Sequence, residues 1–127
     1  MKRILVVEDN NMNYLLIEQL LSKFDLTLER AANGKEFYSI IDNSRDFNLI
    51  LMDLMLPDTD GIELTKYLLN NKIDIPIIFI SAYTERCEEI FDLGIEYFIS
   101  KPINTELFIS ILGKFVDLQA KEETEFI

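Results

Sequence analysis

The sequence predicts an α/β domain built on a doubly wound, five-stranded parallel sheet with helices on both faces. Two observations carry this. Short apolar runs recur at residues 3–7, 26–30, 49–53, 77–80 and 97–99, and stretches with helical spacing fall between them and after the last. Strands that alternate with helices pair in parallel, because each connection must cross a face of the sheet and does so with one hand.

The elements follow in order. Ile4-Leu5-Val6-Val7 forms the first strand, and the stripe Tyr14, Ile17, Leu21, Phe24 places the first helix after it. The second strand, 26–30, leads to Asn33 with Glu36, an N-cap with a capping-box partner, and then to the apolar face Phe37, Ile40, Ile41. The third run ends on Asp53, and Asp60 with Glu63 repeats the capping pattern ahead of the third helix. After the fourth strand, Cys87 reads as a small apolar residue on a helix that Gly94 closes at its C-terminus. The fifth strand precedes a last helix with the stripe Phe108, Ile111, Leu112, Phe115. One domain over 1–120 is expected, with 121–127 as a frayed acidic tail.

Composition narrows the function. The chain has 127 residues, a net charge of −11 and no histidine. Direct binding of nucleic acid is not expected, since phosphate recognition needs clustered Lys and Arg. The absence of histidine excludes a Ser-His catalytic pair, a His-zinc site and an internal phosphohistidine. A single cysteine allows no intrachain disulfide and no cysteine metal cluster. The apolar runs are far too short to span a bilayer, and the N-terminus has no signal-peptide core, so a cytoplasmic protein without membrane contact is expected. Most of the acidity reads as a solvated surface.

The chemistry gathers at one edge. Parallel strands end together, so Glu8 and Asp9 after the first strand, Asp53 at the end of the third, Ser81 after the fourth and Lys101 after the fifth share one mouth. An aspartate at the end of an apolar strand is unfavourable without a partner. Two carboxylates about 4 Å apart repel by roughly 4 kcal/mol at an effective dielectric of 20, so three acids need a cation or shifted pKa values. Ligation by oxygen alone from two or three carboxylates suits Mg²⁺, which keeps several waters and also binds phosphate oxygens. Lys101 suits a phosphate oxygen and Ser81 offers one hydrogen bond. A carboxylate nucleophile, a divalent metal, a lysine and a hydroxyl together describe phosphoryl transfer to aspartate. A Ca²⁺ loop around Asp58 and Asp60 is rejected, because its first position would be Leu56 and its last Tyr67.

From Lys2 to about Phe115 the sequence resembles the receiver domains of two-component response regulators. The resemblance rests on Val7-Glu8-Asp9-Asn10, Ala32-Asn33-Gly34, Met52-Asp53-Leu54-Met55-Leu56-Pro57, Asp60-Gly61, Ile80-Ser81-Ala82 and Ser100-Lys101-Pro102. It implies a (βα)5, flavodoxin-like sheet with strand order 2-1-3-4-5. It makes Asp53 the phosphoacceptor, Asp9, Asp53 and the Met55 carbonyl direct Mg²⁺ ligands, and Glu8 an acid that acts through water. Mn²⁺ or Ca²⁺ would substitute for Mg²⁺. Ser81 matches the switch hydroxyl, Lys101 the phosphate-binding lysine and Phe98 the switch aromatic, with Tyr97 facing the other way. The resemblance also points to a cis bond at Lys101-Pro102. The implied partners are a sensor histidine kinase or histidine phosphotransfer protein, which donates the phosphoryl group, and an unidentified downstream protein.

Further expectations concern behaviour. The domain is read as a signalling phosphoacceptor rather than an enzyme, with self-catalysed transfer and slow autodephosphorylation. Met55 and Tyr83 match positions that flank incoming water in receivers, and apolar bulk there slows hydrolysis. The stretch from Ser81 to Lys101 is about two residues shorter than in the usual receiver, which trims the fourth helix or the loop before it. The motif around Glu8 and Asn13 further resembles receivers of hybrid kinases, phosphorelays and cell-cycle regulators. Met1 two residues before the first strand, and no output segment after the last helix, favour a free-standing receiver. Two other classes share features. A haloacid-dehalogenase-type phosphatase normally has a second acid two residues after its nucleophile, where this chain has Met55. A flavin module needs a phosphate-cradling loop after the first strand, where this chain has acids.

Overall fold

The computed structural model describes residues 2–121. Five strands and five helices alternate: β1 (Lys2–Val7), α1 (Asn11–Leu21), β2 (Leu26–Ala31), α2 (Gly34–Asn43), β3 (Leu49–Met52), α3 (Gly61–Asn70), β4 (Ile77–Ser81), α4 (Cys87–Asp92), β5 (Tyr97–Ser100) and α5 (Thr105–Leu112). All pair in parallel, in the order β2-β1-β3-β4-β5. Both the class and the strand order match the expectation from sequence.

Alternation along the strands splits the core in two. Ile4, Val6, Leu49, Leu51, Ile78, Ile80 and Ile99 face Ile17 and Leu21 of α1 and Phe108 and Leu112 of α5. Leu5, Val7, Ile50, Met52, Ile77 and Phe79 face α2, α3 and Ile90 of α4. Every residue of β3 and β4 is buried, as central strands covered on both faces require. Burying each such aliphatic side chain contributes about 1.5–3 kcal/mol, and this is what holds the ends of these strands in a fixed relation at the mouth.

The N-caps predicted at Asn33 and Asp60 form: their side chains accept from the Glu36 and Glu63 N–H groups at 2.8 and 2.9 Å. The box is not reciprocal. Glu36 reaches past its cap to the Ala32 N–H at 2.8 Å, and Glu63 turns to Lys66. Asn10 and Asn104 cap α1 and α5 through the Asn13 and Leu107 N–H groups. Both lacked a Glu or Gln three residues on, the signal by which the other two were found. Gly94 follows the C-cap of α4 with φ of +89°, in the left-handed region that favours glycine.

Several predicted boundaries shift. Phe24 lies beyond α1, which ends at Leu21; it is buried in the same cluster and pairs with Ala120 in an isolated antiparallel bridge. Phe115 lies beyond α5, on the turns that follow Leu112, and meets Tyr97 edge-on at 5.4 Å. In both places an apolar side chain continued the helical spacing after the backbone had turned. Ser81 belongs to β4 and pairs with Ser100, while β3 stops one residue short of Asp53. Lys121, predicted to begin the frayed tail, donates its N–H to the Lys23 carbonyl at 3.0 Å. The rest of that tail, 122–127, lies outside the described residues.

Candidate functional site

The carboxyl ends of β1, β3, β4 and β5 bring five predicted residues together. Glu8 follows β1 and donates its N–H to Ala31 of β2, while the Asp53 N–H donates to Val7. The ladders thus continue one residue past the strands, and both acids are held by backbone before any side-chain contact. Glu8 is 2% exposed and Asp53 8%, whereas Asp9 is exposed. One oxygen from each of the three carboxylates lies within 4.8 Å of the others. Lys101 Nζ stands between the buried pair, donating to Glu8 Oε1 at 2.7 Å and Asp53 Oδ2 at 3.2 Å. Three acids and one lysine leave a formal charge of −2 at the mouth.

The electrostatics follow from burial. Desolvation pushes the Glu8 carboxyl above its ordinary range; the Lys101 hydrogen bond offsets only part of this, and the Asp53 charge adds to it. Burial alone would lower the Lys101 ammonium, but its bond to Glu8 and the charges of Asp53 and Glu8 outweigh that and leave it raised. Lys101 therefore stays cationic while the acids around it crowd. Two carboxylates at these separations repel by roughly 3–4 kcal/mol at an effective dielectric of 20. A divalent cation fits this donor set: hard oxygens, an unbalanced negative charge, and one acid open to solvent.

Ser81 completes the five at the end of β4. Ser81 is fully buried, and its Oγ accepts from the Tyr83 N–H at 3.1 Å. Phe98 is half-buried against the α2–α4 face, while Tyr97 packs on the opposite face as expected. The Lys101-Pro102 bond is cis. Met55 and Tyr83 are 45% and 51% exposed, and the Met55 backbone bridges to Asp60 across the loop after β3. Helix α4 has six residues, the shortest of the five. A concavity lined by Leu68, Ile73, Pro76, Leu93 and Ile95 lies at the other edge of the sheet, remote from these groups.

Three side chains with no site role assigned from the sequence, Asp58 having been weighed only for a Ca²⁺ loop, hold the loops of the mouth. Arg30 of β2 donates from Nε to the Glu8 carbonyl at 3.0 Å and from Nη2 to the Asp9 carbonyl at 3.1 Å. Asp58 accepts from the Gly34 and Lys35 N–H groups at 2.8 and 3.1 Å, which ties the loop after β3 to the N-terminus of α2; these bonds hold its carboxyl below the usual range. Arg86 donates to Asp60 at 3.0 Å and to Glu89 at 2.9 and 3.0 Å, joining the loop after β4 to the cap of α3. None of the three lies in a motif, and their partners are 21 to 26 residues away except for Glu89. No local pattern signals them.

Comparison with known proteins places this geometry. Residues 4–112 match the response regulator receiver domain family. The chain is 34% identical over 119 residues to the polar-differentiation response regulator DivK of Brucella anthropi, covering 91% of this chain and 96% of that protein. It is 32% identical over 121 residues to hybrid signal transduction histidine kinase A of Dictyostelium discoideum, of whose length it spans 6%. A CheY-like receiver domain protein from Methanospirillum hungatei superposes with a TM-score of 0.80 at 28% identity, covering 90% of this chain and 92% of that one. A family profile matched over most of the chain, a relative matched end to end and a shared fold agree, so the chain belongs to the response regulator receiver domain family, the signalling domains of two-component systems.

Proposed function

We propose that the chain is a Mg²⁺-dependent phosphoacceptor in which Asp53 takes a phosphoryl group from the phosphohistidine of a histidine kinase or histidine phosphotransfer protein. The observation that carries this reading is the buried Asp53 carboxylate bonded to Lys101, with Glu8 and Asp9 beside it. Asp9, Asp53 and the Met55 carbonyl would hold the ion, with Glu8 acting through water. Bound there, Mg²⁺ supplies positive charge beside the transferring oxygens, and Mn²⁺ or Ca²⁺ would serve less specifically.

The chain's own residues do the rest. Asp53 Oδ2 already accepts from Lys101, so Oδ1 is the attacking oxygen. The O–P bond forms as the donor's N–P bond breaks, and the imidazole nitrogen keeps the electron pair. Lys101 turns its Nζ from Glu8 to a phosphoryl oxygen. The phosphoryl group carries about 1.5–2 negative charges, in place of the single charge of the Asp53 carboxylate. Ser81 exchanges its contact with the Tyr83 N–H for a bond donated to a phosphoryl oxygen, the loop after β4 shifts, and Phe98 turns into the space that opens. An unidentified downstream protein reads that surface.

Acetyl phosphate as a small-molecule donor, followed by intact mass, tests the assignment. Wild type is expected to gain one phosphoryl group with Mg²⁺ and none with chelator, and Asp53→Asn to gain none. Stable labelling of Asp53→Asn to the wild-type extent overturns it.

A further inference from the structure

We infer that Arg30 is a positioning residue for the acidic loop: one guanidinium, held on Tyr14, fixes the carbonyls of both Glu8 and Asp9 and so presents their carboxylates to a divalent cation. The inference rests on the phosphoacceptor reading of the mouth.

Arg30 projects from β2, at the edge of the sheet, and belongs to no motif. Its Nε–H meets the Glu8 carbonyl at 3.0 Å and its Nη2–H the Asp9 carbonyl at 3.1 Å. Those two residues are the acids that follow β1. The guanidinium carbon lies 4.9 Å from the centroid of the Tyr14 ring, on the first turns of α1. A planar fork suits this task, because two donors at fixed separation hold two successive carbonyls while the flat face packs on the ring. The same residues are fixed from other directions by the Glu8 N–H on Ala31 and by Glu8 Oε2, which accepts from the Asn10 N–H at 3.2 Å. Among the described residues Asp9 has no such second side-chain tether, so its backbone orientation depends most on Arg30.

The loop needs this restraint. Three carboxylates within 4.8 Å repel one another, and only Lys101 opposes that from the sheet side. Repulsion favours swinging the exposed Asp9 outward into water. A cation binding to such a loosened loop would have to order it first, and that ordering reduces affinity. Arg30 removes the requirement in advance, because it holds the two backbone carbonyls and leaves the carboxylates free for the cation.

The full chain and its Arg30→Gln and Arg30→Lys variants test this with three readings: Mg²⁺ affinity by calorimetry, the acetyl phosphate labelling rate across Mg²⁺ concentrations, and amide hydrogen exchange of residues 8–10 without metal. For Arg30→Gln, the Mg²⁺ dissociation constant is expected to rise about tenfold, the effect of one net hydrogen bond. The half-saturating Mg²⁺ concentration rises in step, the rate at saturating Mg²⁺ falls by less, and exchange at residues 8–10 quickens. Arg30→Lys, with one donor centre, recovers part of the affinity. A dissociation constant within twofold of wild type in Arg30→Gln overturns the inference, as does a plateau rate that falls while the half-saturating concentration stays put. Wild type that binds no Mg²⁺ and takes no label overturns the phosphoacceptor reading instead.

Discussion

Glu8 shows how one residue can be both well bonded and unfavourable. It accepts from Lys101 at 2.7 Å, yet burial leaves its carboxyl raised above the ordinary value of 4.5. The folded protein therefore holds this proton more tightly than the unfolded chain. The stability it contributes is complete below that ordinary value and is lost as pH climbs through the raised folded value. At neutral pH the buried charge opposes folding. Glu8→Gln is expected to melt above wild type at pH 7 in metal-free buffer, with Lys101 still paired to Asp53, and the gap should close as pH falls toward 4.5. Calorimetry across that range checks it; a gap that widens on acidification contradicts it. Met55 matters for a different reason. With 45% of its surface exposed, it offers apolar bulk where the resemblance places the attacking water. Met55→Asn is expected to hasten dephosphorylation by roughly tenfold, since a polar group able to orient water contributes about one hydrogen bond. Loss of phosphorylated protein over time, followed by mass, decides it, and an unchanged rate sinks the idea.

The elements are tied together at the same edge that carries the chemistry. The loop after β3 is held to α2 by Asp58 and to the loop after β4 by Arg86 on Asp60, so the cap of α3 is bonded directly to the loop that follows Ser81. Gly61 sets how closely α3 approaches. A Cβ there would lie 2.5 Å from the Asp53 carbonyl oxygen, 2.8 Å from Met52 Cγ and 2.9 Å from Phe79 Cε1. Because the first of these is backbone, relief must come from moving Asp53 itself. Gly61→Ala is expected to destabilise by about 1–3 kcal/mol and to slow labelling of Asp53. Gly113, with φ of −63° and its nearest such contact at 3.5 Å, is the control; Gly113→Ala should be neutral or stabilise by up to about 1 kcal/mol. Denaturant unfolding compares the two. The residues that mark Gly61 as special are legible in Asp60-Gly61, but the neighbours that forbid a side chain come from β3 and β4.

At the scale of the whole molecule, charge and metal meet. A chain of net charge −11 concentrates three acids in one mouth, and its folded state is under electrostatic stress there. A divalent cation that binds the native mouth and not the unfolded chain stabilises by about 2.7 kcal/mol at 100 times its dissociation constant. For a domain of this size that corresponds to a rise in Tm of about 10 °C. Mg²⁺ without any phosphoryl donor is expected to produce such a rise, and Asp9→Asn to remove most of it while keeping the fold. Melting curves with and without chelator check this; an equal rise in Asp9→Asn would show that the ion acts elsewhere. No helix among the described residues is long and apolar enough to cross a membrane.

Much of this was settled by the amino-acid pattern alone. Short continuous apolar runs and helical stripes identify β1 to β5 and their helices, because run length and helical spacing are local properties of the chain. Parallel pairing then sends the residues after each strand to one edge, so Glu8, Asp9, Asp53, Ser81 and Lys101 could be assembled without coordinates. The ends of α1 and α5 were misplaced, because Phe24 and Phe115 stay apolar where the backbone has already turned. What waited for the tertiary structure were contacts between residues far apart in the chain: Lys101 lying between Glu8 and Asp53, Arg30 on the carbonyls of Glu8 and Asp9, Asp58 on the amides of α2, and Arg86 on Asp60. These depend on how strands and loops pack in space, and side-chain reach across 21 or more residues leaves no period in the sequence to read.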